Sequence, residues 1–353
     1  MTGSKTTDGN FFEDFRLGQT IVHATPRTIT DGDAALYTAL YGSRFAVQSS
    51  RALAATIGLP TAPVDDWLSF HVVFGKTVSD ISLNAVANLG YADGRFGVPV
   101  YPGDTLATVS DVIGLRESAK GDSGVVYVRS VGSNQRGETA VSYVRWVLVP
   151  KRDRAAAAPT TVIPELPDAV PVDGLHVPSG LNLSCYDTAL TGSPYLWDDY
   201  AVGERIDHVD GVTVEEAEHM LAARLWQNSA RAHFNDQAAK ASRFGRRLIY
   251  GGHIISLARA LSFNGLANAF KIASLNGGRH VAPTFAGDTI YAWSEVLGKQ
   301  AFPARDDVGA LRIRTIAAKD QPCAEFPDTT SDGKPHPAVV LDLDYTVLIP
   351  RRK

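Results

Sequence analysis

The segment Asp14-Phe15-Arg16-Leu17-Gly18-Gln19-Thr20-Ile21 returns later in the chain as Asp199-Tyr200-Ala201-Val202-Gly203-Glu204-Arg205-Ile206. Gly18 and Gly203 occupy the same place in the two segments, and this pair sets the offset between the copies. The repeat predicts two copies of one structural unit in tandem. Because duplicated copies can diverge, the positions at which they differ indicate where chemistry is retained.

Two further pairs of segments extend the repeat. Pro99–Thr105 matches Pro283–Thr289 at nearly the same offset, and Leu148–Arg152 matches Leu348–Arg352 at a larger one. Both copies of the first pair contain Gly-Asp-Thr, which we interpret as a turn before a strand, with glycine at positive φ and aspartate bonding the local backbone. The larger offset at the closing pair predicts an insertion in the second copy, within the Gly-, Pro- and Asp-rich stretch 319–337.

The composition is that of a globular protein with ordinary domains. The chain has 353 residues, 44% hydrophobic and 20% charged, with a formal net charge of −4 and two cysteines. No dense basic stretch predicts nucleic-acid binding, and no apolar run reaches the length of a membrane span. The scarcity of cysteine and the polar N-terminus predict a cytoplasmic protein without a disulfide framework.

Composition and periodicity together divide the chain into two units and a linker. We place the first unit at residues 10–150, a linker rich in alanine and proline at 151–193, and the second unit at 194–353. The predicted helices are Asp33–Leu40 and Val78–Leu89 in the first copy, and Glu215–Leu225, capped by Thr213, and Ile254–Ala269 in the second. The β-type runs are Thr105–Ile113, Val125–Val131, Ala140–Val149, Thr289–Val296, Leu311–Ala317 and Val339–Ile349. These patterns predict a duplicated α+β protein with antiparallel sheets.

Asn228 and His233 carry a resemblance to a known family. Their spacing is similar to that of the Asp and His in the Gly-Asp-x-Asn-Pro-Leu-His motif of MaoC-type dehydratases and R-specific enoyl-CoA hydratases. The following Gly251-Gly252-His253 resembles the His-Gly pair that opens the buried helix of that family. The resemblance to one member group, mesaconyl-CoA hydratase (β-methylmalyl-CoA dehydratase), is closer still and covers nearly the whole chain. It is carried by the segments Phe11–Gly18, Phe70–Thr77, Asp207–Glu216, Ile249–His253 and Ser262–Asn268. The resemblance implies a tandem (double) hot-dog fold, in which each half is a curved antiparallel sheet around a buried helix.

The resemblance also implies a hydro-lyase that hydrates mesaconyl-CoA to β-methylmalyl-CoA. An amide does not take up a proton at neutral pH, so Asn228 would position water and His233 alone would serve as the acid and base. Gly252 would stabilise the enolate-like oxygen with its backbone N–H at a helix start. The corresponding positions of the first copy are Ser43 and Gln48, so we expect one active site per chain, in the second copy.

The candidate substrate-binding residues are mostly arginines. Arg231 and Arg44 are alternatives for the free carboxylate of mesaconyl-CoA. The basic cluster that contains Arg246 and Arg247, with Arg243, precedes the buried helix and could contact CoA phosphates. Gly251 and His253 belong to the helix start and are assigned to the substrate as well.

No metal-ligand spacing and no nucleotide-binding motif occurs in the sequence, so we predict neither a metal nor a separate cofactor. The predicted partner is a CoA thioester, and a homo-oligomer is left open. Three alternatives remain: a hydratase for another enoyl-CoA, a hot-dog acyl-CoA thioesterase, and a non-catalytic acyl-CoA binding protein. The thioesterase would use a carboxylate aimed at the carbonyl, which the second copy does not offer at the motif position.

Overall fold

The computed structural model of the protein describes residues 5–352, and its framework is one antiparallel sheet of ten strands. The strands are β1 (Thr20–Thr28), β2 (Ala87–Phe96), β3 (Thr105–Glu117), β4 (Ser123–Ser133), β5 (Thr139–Pro150), β6 (Arg205–Thr213), β7 (Lys271–His280), β8 (Thr289–Ala301), β9 (Val308–Lys319) and β10 (Val339–Pro350). Their spatial order is β1-β3-β4-β5-β2-β7-β10-β9-β8-β6. The second half of this order is the first half reversed, with each strand replaced by its repeat equivalent.

The helices follow the same duplication. They are α1 (Asp31–Tyr41), α2 (Ala46–Ser49), α3 (Arg51–Thr56) and α4 (Asp66–Thr77) in the first copy, α5 (Thr188–Thr191) before the second, and α6 (Glu216–Leu225), α7 (Arg231–Phe234), α8 (Asp236–Lys240), α9 (Gly251–Leu261) and α10 (Phe263–Leu266) in the second. Each of α1 to α4 is separated from its equivalent among α6 to α9 by the offset that separates Gly18 from Gly203. The offset read from the sequence therefore holds through the helical part of both copies.

The two halves join through the central strands β2 and β7. Tyr91 lies opposite Gly278 and Gly94 opposite Leu275 in the antiparallel ladder. A Cβ atom on Gly94 would lie only 2.6 Å from the Leu275 Cβ, so glycine permits this close approach of the two copies. The sheet therefore runs without interruption from one copy into the other.

Each half packs one long helix against the sheet, and the two helices meet at the centre of the molecule. All residues of α4 from Trp67 to Thr77 are buried, as are Gly252 to Arg259 of α9. The His71 Nε2 lies 3.0 Å from the Ser256 Oγ, and these two residues are equivalent in the repeat. Equivalent side chains that touch mark an approximate two-fold axis between the halves.

The structure corrects several predicted elements. The predicted helix Val78–Leu89 is wrong, because the buried helix of the first copy is α4, followed by a π-helical turn at Val78–Ser82. Thr213 does not cap α6; its hydroxyl pairs with that of Thr289, and the residue before the helix is Glu215. The predicted helix Ile254–Ala269 is too long, because α9 ends at Leu261 and only the short α10 follows it. The predicted helices Asp33–Leu40 and Glu215–Leu225 and all six predicted strands are confirmed, and each strand is longer than expected.

The repeated Gly-Asp-Thr elements form the predicted turns. Gly103 and Gly287 have φ angles of 100° and 95°, in the left-handed region that glycine tolerates. Asp104 Oδ2 accepts the Tyr101 amide at 2.9 Å, and the second copy repeats this bond between Asp288 and Phe285 at 3.0 Å. Their presence in both copies agrees with a structural role.

The segment between the copies packs on the second half of the sheet. Val170, Leu175 and Leu183 are buried in a hydrophobic cluster that includes Phe270 and Leu348. Val162 of this segment also pairs with Leu115 of β3 through an isolated antiparallel bridge. Residues 151–193 contain only short helical turns, of which α5 is the longest, and the segment is held against the molecule.

Candidate active site

A cavity of about 310 Å³ lies between the two halves and is lined by both. The first copy contributes residues from α4, the following turn and strands β2 and β5, among them Phe74 and Ala87. The second copy contributes Asn228, His233 and Gly251 from the loop after α6, from α7 and from the start of α9. The structure therefore brings together the three elements that the repeat and the motif singled out.

His233 presents one ring nitrogen to this cavity in a defined protonation state. Its Nδ1 lies 2.9 Å from the carbonyl oxygen of Leu248. A carbonyl only accepts hydrogen bonds, so Nδ1 carries the proton and Nε2 of the neutral ring is left with a free lone pair. Burial lowers the pKa of His233 below its ordinary value of 6.5, which favours this neutral form. The ring is thus prepared to accept a proton at Nε2.

Asn228 is buried, and its backbone position is set by the other copy. Its Oδ1 accepts the amide of Ala230 at 3.1 Å, so its Nδ2 is the group that remains free to donate. A Cβ atom on Gly75 of α4 would lie 1.8 Å from the carbonyl oxygen of Trp226. Glycine at 75 therefore lets the first copy's helix approach the loop that carries Asn228.

The start of α9 supplies backbone donors. Helix-start amides have no acceptor within their own helix, and here the His253 amide donates to the Tyr250 carbonyl at 2.8 Å. Within residues 5–352 no protein acceptor is found for the amides of Gly251 and Gly252. Gly251 lines the cavity, whereas Gly252 lies behind it against the rings of Tyr250 and His71. Of these two glycines, Gly251 is therefore the one whose backbone borders the cavity.

Two arginines of the second copy lie at the cavity. Arg231 is exposed, lines the cavity and donates from Nη1 to the Asn84 Oδ1 at 2.7 Å. Arg243, which is also exposed, lines the cavity near Phe244, and its guanidinium carbon lies 4.5 Å from the centre of that ring. Both place positive charge at the solvent side of the cavity.

The remaining predicted substrate ligands do not line the cavity. Arg44 borders a separate space of about 140 Å³ and stacks on Phe263, because α2 of the first copy faces the opposite side of the axis. His253 is buried with its Nδ1 2.8 Å from the Tyr41 hydroxyl. Arg246 stacks on Phe285, and Arg247 pairs with Glu216 at 2.5 Å. The structure gives no support for assigning Arg44 or His253 to the substrate.

Sequence reasoning missed three side chains of the cavity wall: His280, Tyr91 and Arg145. His280 lies against Gly251, and its Nε2 is 3.3 Å from the Tyr91 hydroxyl; burial lowers its pKa to about 4. Arg145 of β5 reaches the cavity from the first copy. The sequence signal for His280 and Arg145 is that each differs from its equivalent in the other copy. The offset of the Gly-Asp-Thr turns aligns His280 with Phe96, and the offset of the closing strands aligns Arg145 with Tyr345.

The equivalent place in the first copy is filled by side chains. Asp66 starts α4 where Gly251 starts α9, and Lys271 stands where the second site has Ala87. The Lys271 ammonium lies 2.9 Å from Asp66 Oδ1, and Asp66 Oδ2 accepts the Ile272 amide at 2.8 Å. This ion pair stands at the positions where the second copy has a glycine and an alanine.

Metal-ligand clusters and membrane-spanning helices are both absent from the part of the chain that the structure describes. In residues 5–352 no three His, Cys, Asp or Glu side chains are grouped so that they could hold a metal ion. Over the same residues, no helix has both the length and the apolar character needed to cross a membrane.

Comparison with known proteins places this geometry in a family. Residues 3–327 match the family model described as mesaconyl-CoA hydratase. The chain is 66% identical over 349 residues to the β-methylmalyl-CoA dehydratase of Chloroflexus aurantiacus, covering 99% of both chains. It is 60% identical over 347 residues to the mesaconyl-CoA hydratase of Cereibacter sphaeroides, covering 98% of this chain and 100% of the other. The chain belongs to the mesaconyl-CoA hydratase family.

Solved structures agree with this assignment. A MaoC domain dehydratase from Chloroflexus aurantiacus has a TM-score of 0.97 at 66% identity, covering 99% of this chain and 100% of the other. A Mycobacterium tuberculosis protein described as having a double hotdog fold has a TM-score of 0.76 at 24% identity, covering 98% of this chain and 99% of the other. The predicted α+β double hot-dog fold is confirmed. As a member of the mesaconyl-CoA hydratase family, the protein is an enzyme of the hydro-lyase class.

Proposed function

We propose that the protein catalyses the reversible hydration of mesaconyl-CoA to β-methylmalyl-CoA at the cavity between its two halves. The observation that carries the proposal is the free Nε2 of His233, which shares the cavity with Asn228 and the start of α9. The names of the relatives from Chloroflexus aurantiacus and Cereibacter sphaeroides support this substrate.

In the hydration direction, His233 and Asn228 both bind the attacking water. The water donates one proton toward His233 Nε2 and accepts a hydrogen bond from Asn228 Nδ2. As the O–H bond breaks, the oxygen bonds to Cβ, and the electrons of the double bond move through Cα to the thioester oxygen. His233 then returns the proton from Nε2 to Cα, which restores the carbonyl and the neutral ring. The dehydration direction reverses each step.

The negative charge that develops on the thioester oxygen needs a donor already in place. Gly251 lines the cavity at the start of α9, where its amide has no intrahelical acceptor and the helix dipole adds positive potential. A preorganised donor of this kind contributes about 10²–10³ in rate. The thioester itself acidifies Cα, so the proposed reaction needs neither a metal nor a separate cofactor.

The CoA moiety is proposed to leave the cavity past Arg231 and Arg243. Both side chains are exposed and both line the cavity, so they can reach phosphates that stay in solvent while the acyl group is buried. The exposed side chain of Val86 and its neighbour Ala85 provide an apolar surface for the pantetheine chain.

The proposed reaction is tested by following two signals on mesaconyl-CoA. We expect the ultraviolet absorbance of the conjugated enoyl thioester to fall without release of free thiol. Release of CoA thiol in step with the loss of absorbance would instead identify a thioesterase. A kcat/KM for crotonyl-CoA equal to that for mesaconyl-CoA would contradict the assigned substrate, because a site built for the second carboxylate should discriminate strongly.

The substitution Asn228→Asp is expected to change the pH dependence in a defined direction. His233 acts as a base in its neutral form, so kcat/KM of the native enzyme should fall only as the pH drops through the His233 pKa, which lies below 6.5. A carboxylate at 228 would favour the imidazolium and raise that pKa. The acidic limb of the pH–kcat/KM profile should therefore move to higher pH.

The matched variant Asn228→Ala removes the water donor without adding charge. We expect kcat to fall about 10- to 100-fold while the acidic limb does not move upward, since one lost hydrogen bond to a polarised group is worth about 1.5–3 kcal/mol. An acidic limb in Asn228→Asp that coincides with the native limb would show that Asn228 is not next to the catalytic base.

A further inference from the structure

Arg145 is a buried cation without a counter-ion. Its exposed fraction is 0%, although it lines the cavity. Its Nη2 donates to the hydroxyls of Thr77 at 2.8 Å and Ser82 at 3.3 Å, and within residues 5–352 its Nε and Nη1 have no hydrogen-bond partner. No carboxylate in the described chain forms an ion pair with it. A guanidinium in this position is therefore unsatisfied in both charge and hydrogen bonding.

Such an arrangement is costly unless an anion completes it. Burial lowers the pKa of Arg145, yet an arginine remains protonated in proteins, so the positive charge persists inside the cavity wall. Partial compensation comes from the ring of Phe74, whose centre lies 4.2 Å from the guanidinium carbon. The hydroxyl of Tyr250, which packs on the same ring and lines the same cavity, also has no partner in the described residues.

The repeat shows that this cation serves one site. Tyr345 stands at the position equivalent to Arg145. Tyr91 and Leu275 are equivalent residues of β2 and β7, and they lie opposite Arg145 and Tyr345, respectively, in the sheet. The Tyr345 hydroxyl accepts a hydrogen bond from Thr315 Oγ1 at 3.0 Å, so that position is satisfied within the protein. Of these two equivalent positions, the one beside the open cavity therefore holds the unpaired cation.

We propose that Arg145, together with the Tyr250 hydroxyl, binds the free carboxylate of the acyl group. The inference rests on the proposed function and deepens it: the substrate class is 2-enoyl-CoA thioesters that carry a carboxylate on Cβ. The two residues predicted from sequence for this role fit less well. Arg231 is exposed and already donates to Asn84, and Arg44 faces another cavity. A carboxylate fixed by Arg145 holds the adjacent Cβ for attack by the water on His233.

The test uses unreactive ligands, so it does not depend on turnover. Calorimetry compares 2-methylsuccinyl-CoA with 2-methylbutanoyl-CoA, in which a methyl group replaces the carboxylate. We expect the native enzyme to bind the first about 100-fold more tightly, as hydrogen bonds between ionised partners allow. Arg145→Gln should lose most of this preference by weakening only the diacid ligand. A preference retained in Arg145→Gln, or an equal loss for both ligands, would overturn the proposal.

Two variants control for folding and for charge. Arg129→Gln is the matched control, because Arg129 lies on the neighbouring strand and pairs with Asp93 outside the cavity, so the preference should be unchanged. Tyr250→Phe keeps the ring and removes a hydroxyl that has no partner in the described residues, so it should fold and lower the preference about 5-fold. If circular dichroism shows that Arg145→Gln does not fold, Tyr250→Phe decides, and an unchanged preference would overturn the proposal.

The outcomes separate this inference from the proposed reaction. A native enzyme that prefers the diacid ligand through Arg145 but hydrates no enoyl-CoA would contradict the reaction and leave the carboxylate site standing. A native enzyme that hydrates mesaconyl-CoA but binds both saturated ligands equally would contradict the carboxylate site alone.

Discussion

Replacing His233 by alanine is expected to lower kcat for hydration by about 10³–10⁴-fold, the upper range for a residue that performs general acid–base catalysis. In the proposed mechanism the effect is large, because Asn228 offers no titratable group and His233 therefore carries both proton transfers. The Nδ1 bond to the Leu248 carbonyl orients the ring so that Nε2 remains free for the reaction.

The measurement is a steady-state assay of absorbance on mesaconyl-CoA, with binding of 2-methylsuccinyl-CoA checked by calorimetry. Binding should change by less than about 5-fold, since a general base contributes to the transition state more than to the ground state. Gln48→Ala, at the equivalent position of the first copy, is the matched control and should retain kcat within about 2-fold. A His233→Ala enzyme with native kcat would show that another group is the base.

Replacing Gly251 by alanine is expected to lower kcat/KM by at least about 100-fold. A Cβ atom there would lie 2.2 to 2.5 Å from three atoms of the His280 ring, so the ring must move or the start of α9 must shift. Either change displaces the Gly251 amide, the donor proposed for the thioester oxygen. The added methyl group also takes space that the acyl thioester needs.

A matched glycine shows whether the effect is local. Gly277 lies in β7, and a Cβ there would have Asp344 Cβ as its nearest neighbour, at 4.0 Å, so Gly277→Ala should keep kcat/KM within about 2-fold. Thermal unfolding of both variants separates loss of stability from loss of function. A Gly251→Ala enzyme that folds and keeps native kcat/KM would contradict the role of this helix start.

The sequence predicts the repeat better than it predicts the centre of the fold. The offset set by Gly18 and Gly203 correctly aligned Gln48 with His233, because the helices on which they lie, α2 and α7, begin at that same offset. The helix α4 was missed because it is buried on all faces, so it lacks the amphipathic period by which helices are recognised. The strands β2 and β7 were missed because glycines interrupt them, where the two copies approach each other.

The wall of the cavity was harder to predict because it combines residues distant in sequence. His233 and Asn228 lie in one short segment and carry a motif, whereas Arg145 reaches the same cavity from a strand of the other copy. Sequence spacing gives no measure of such a contact. Arg231 is predicted from its place between Asn228 and His233, and Arg44 from the equivalent part of the other copy. The difference between Arg145 and Tyr345 along the repeat is the signal in the sequence that points to Arg145.

The continuous sheet through β2 and β7 has a consequence for how such a site can change. In a homodimer of single hot-dog subunits, each substitution would appear at both symmetric sites at once. Here the two copies are one chain, so a lysine and an aspartate can close one site while an alanine and a glycine keep the other open. Covalent fusion thus removes the constraint that symmetry imposes, so that one copy is free to carry the proposed proton transfer while the other carries the proposed carboxylate site.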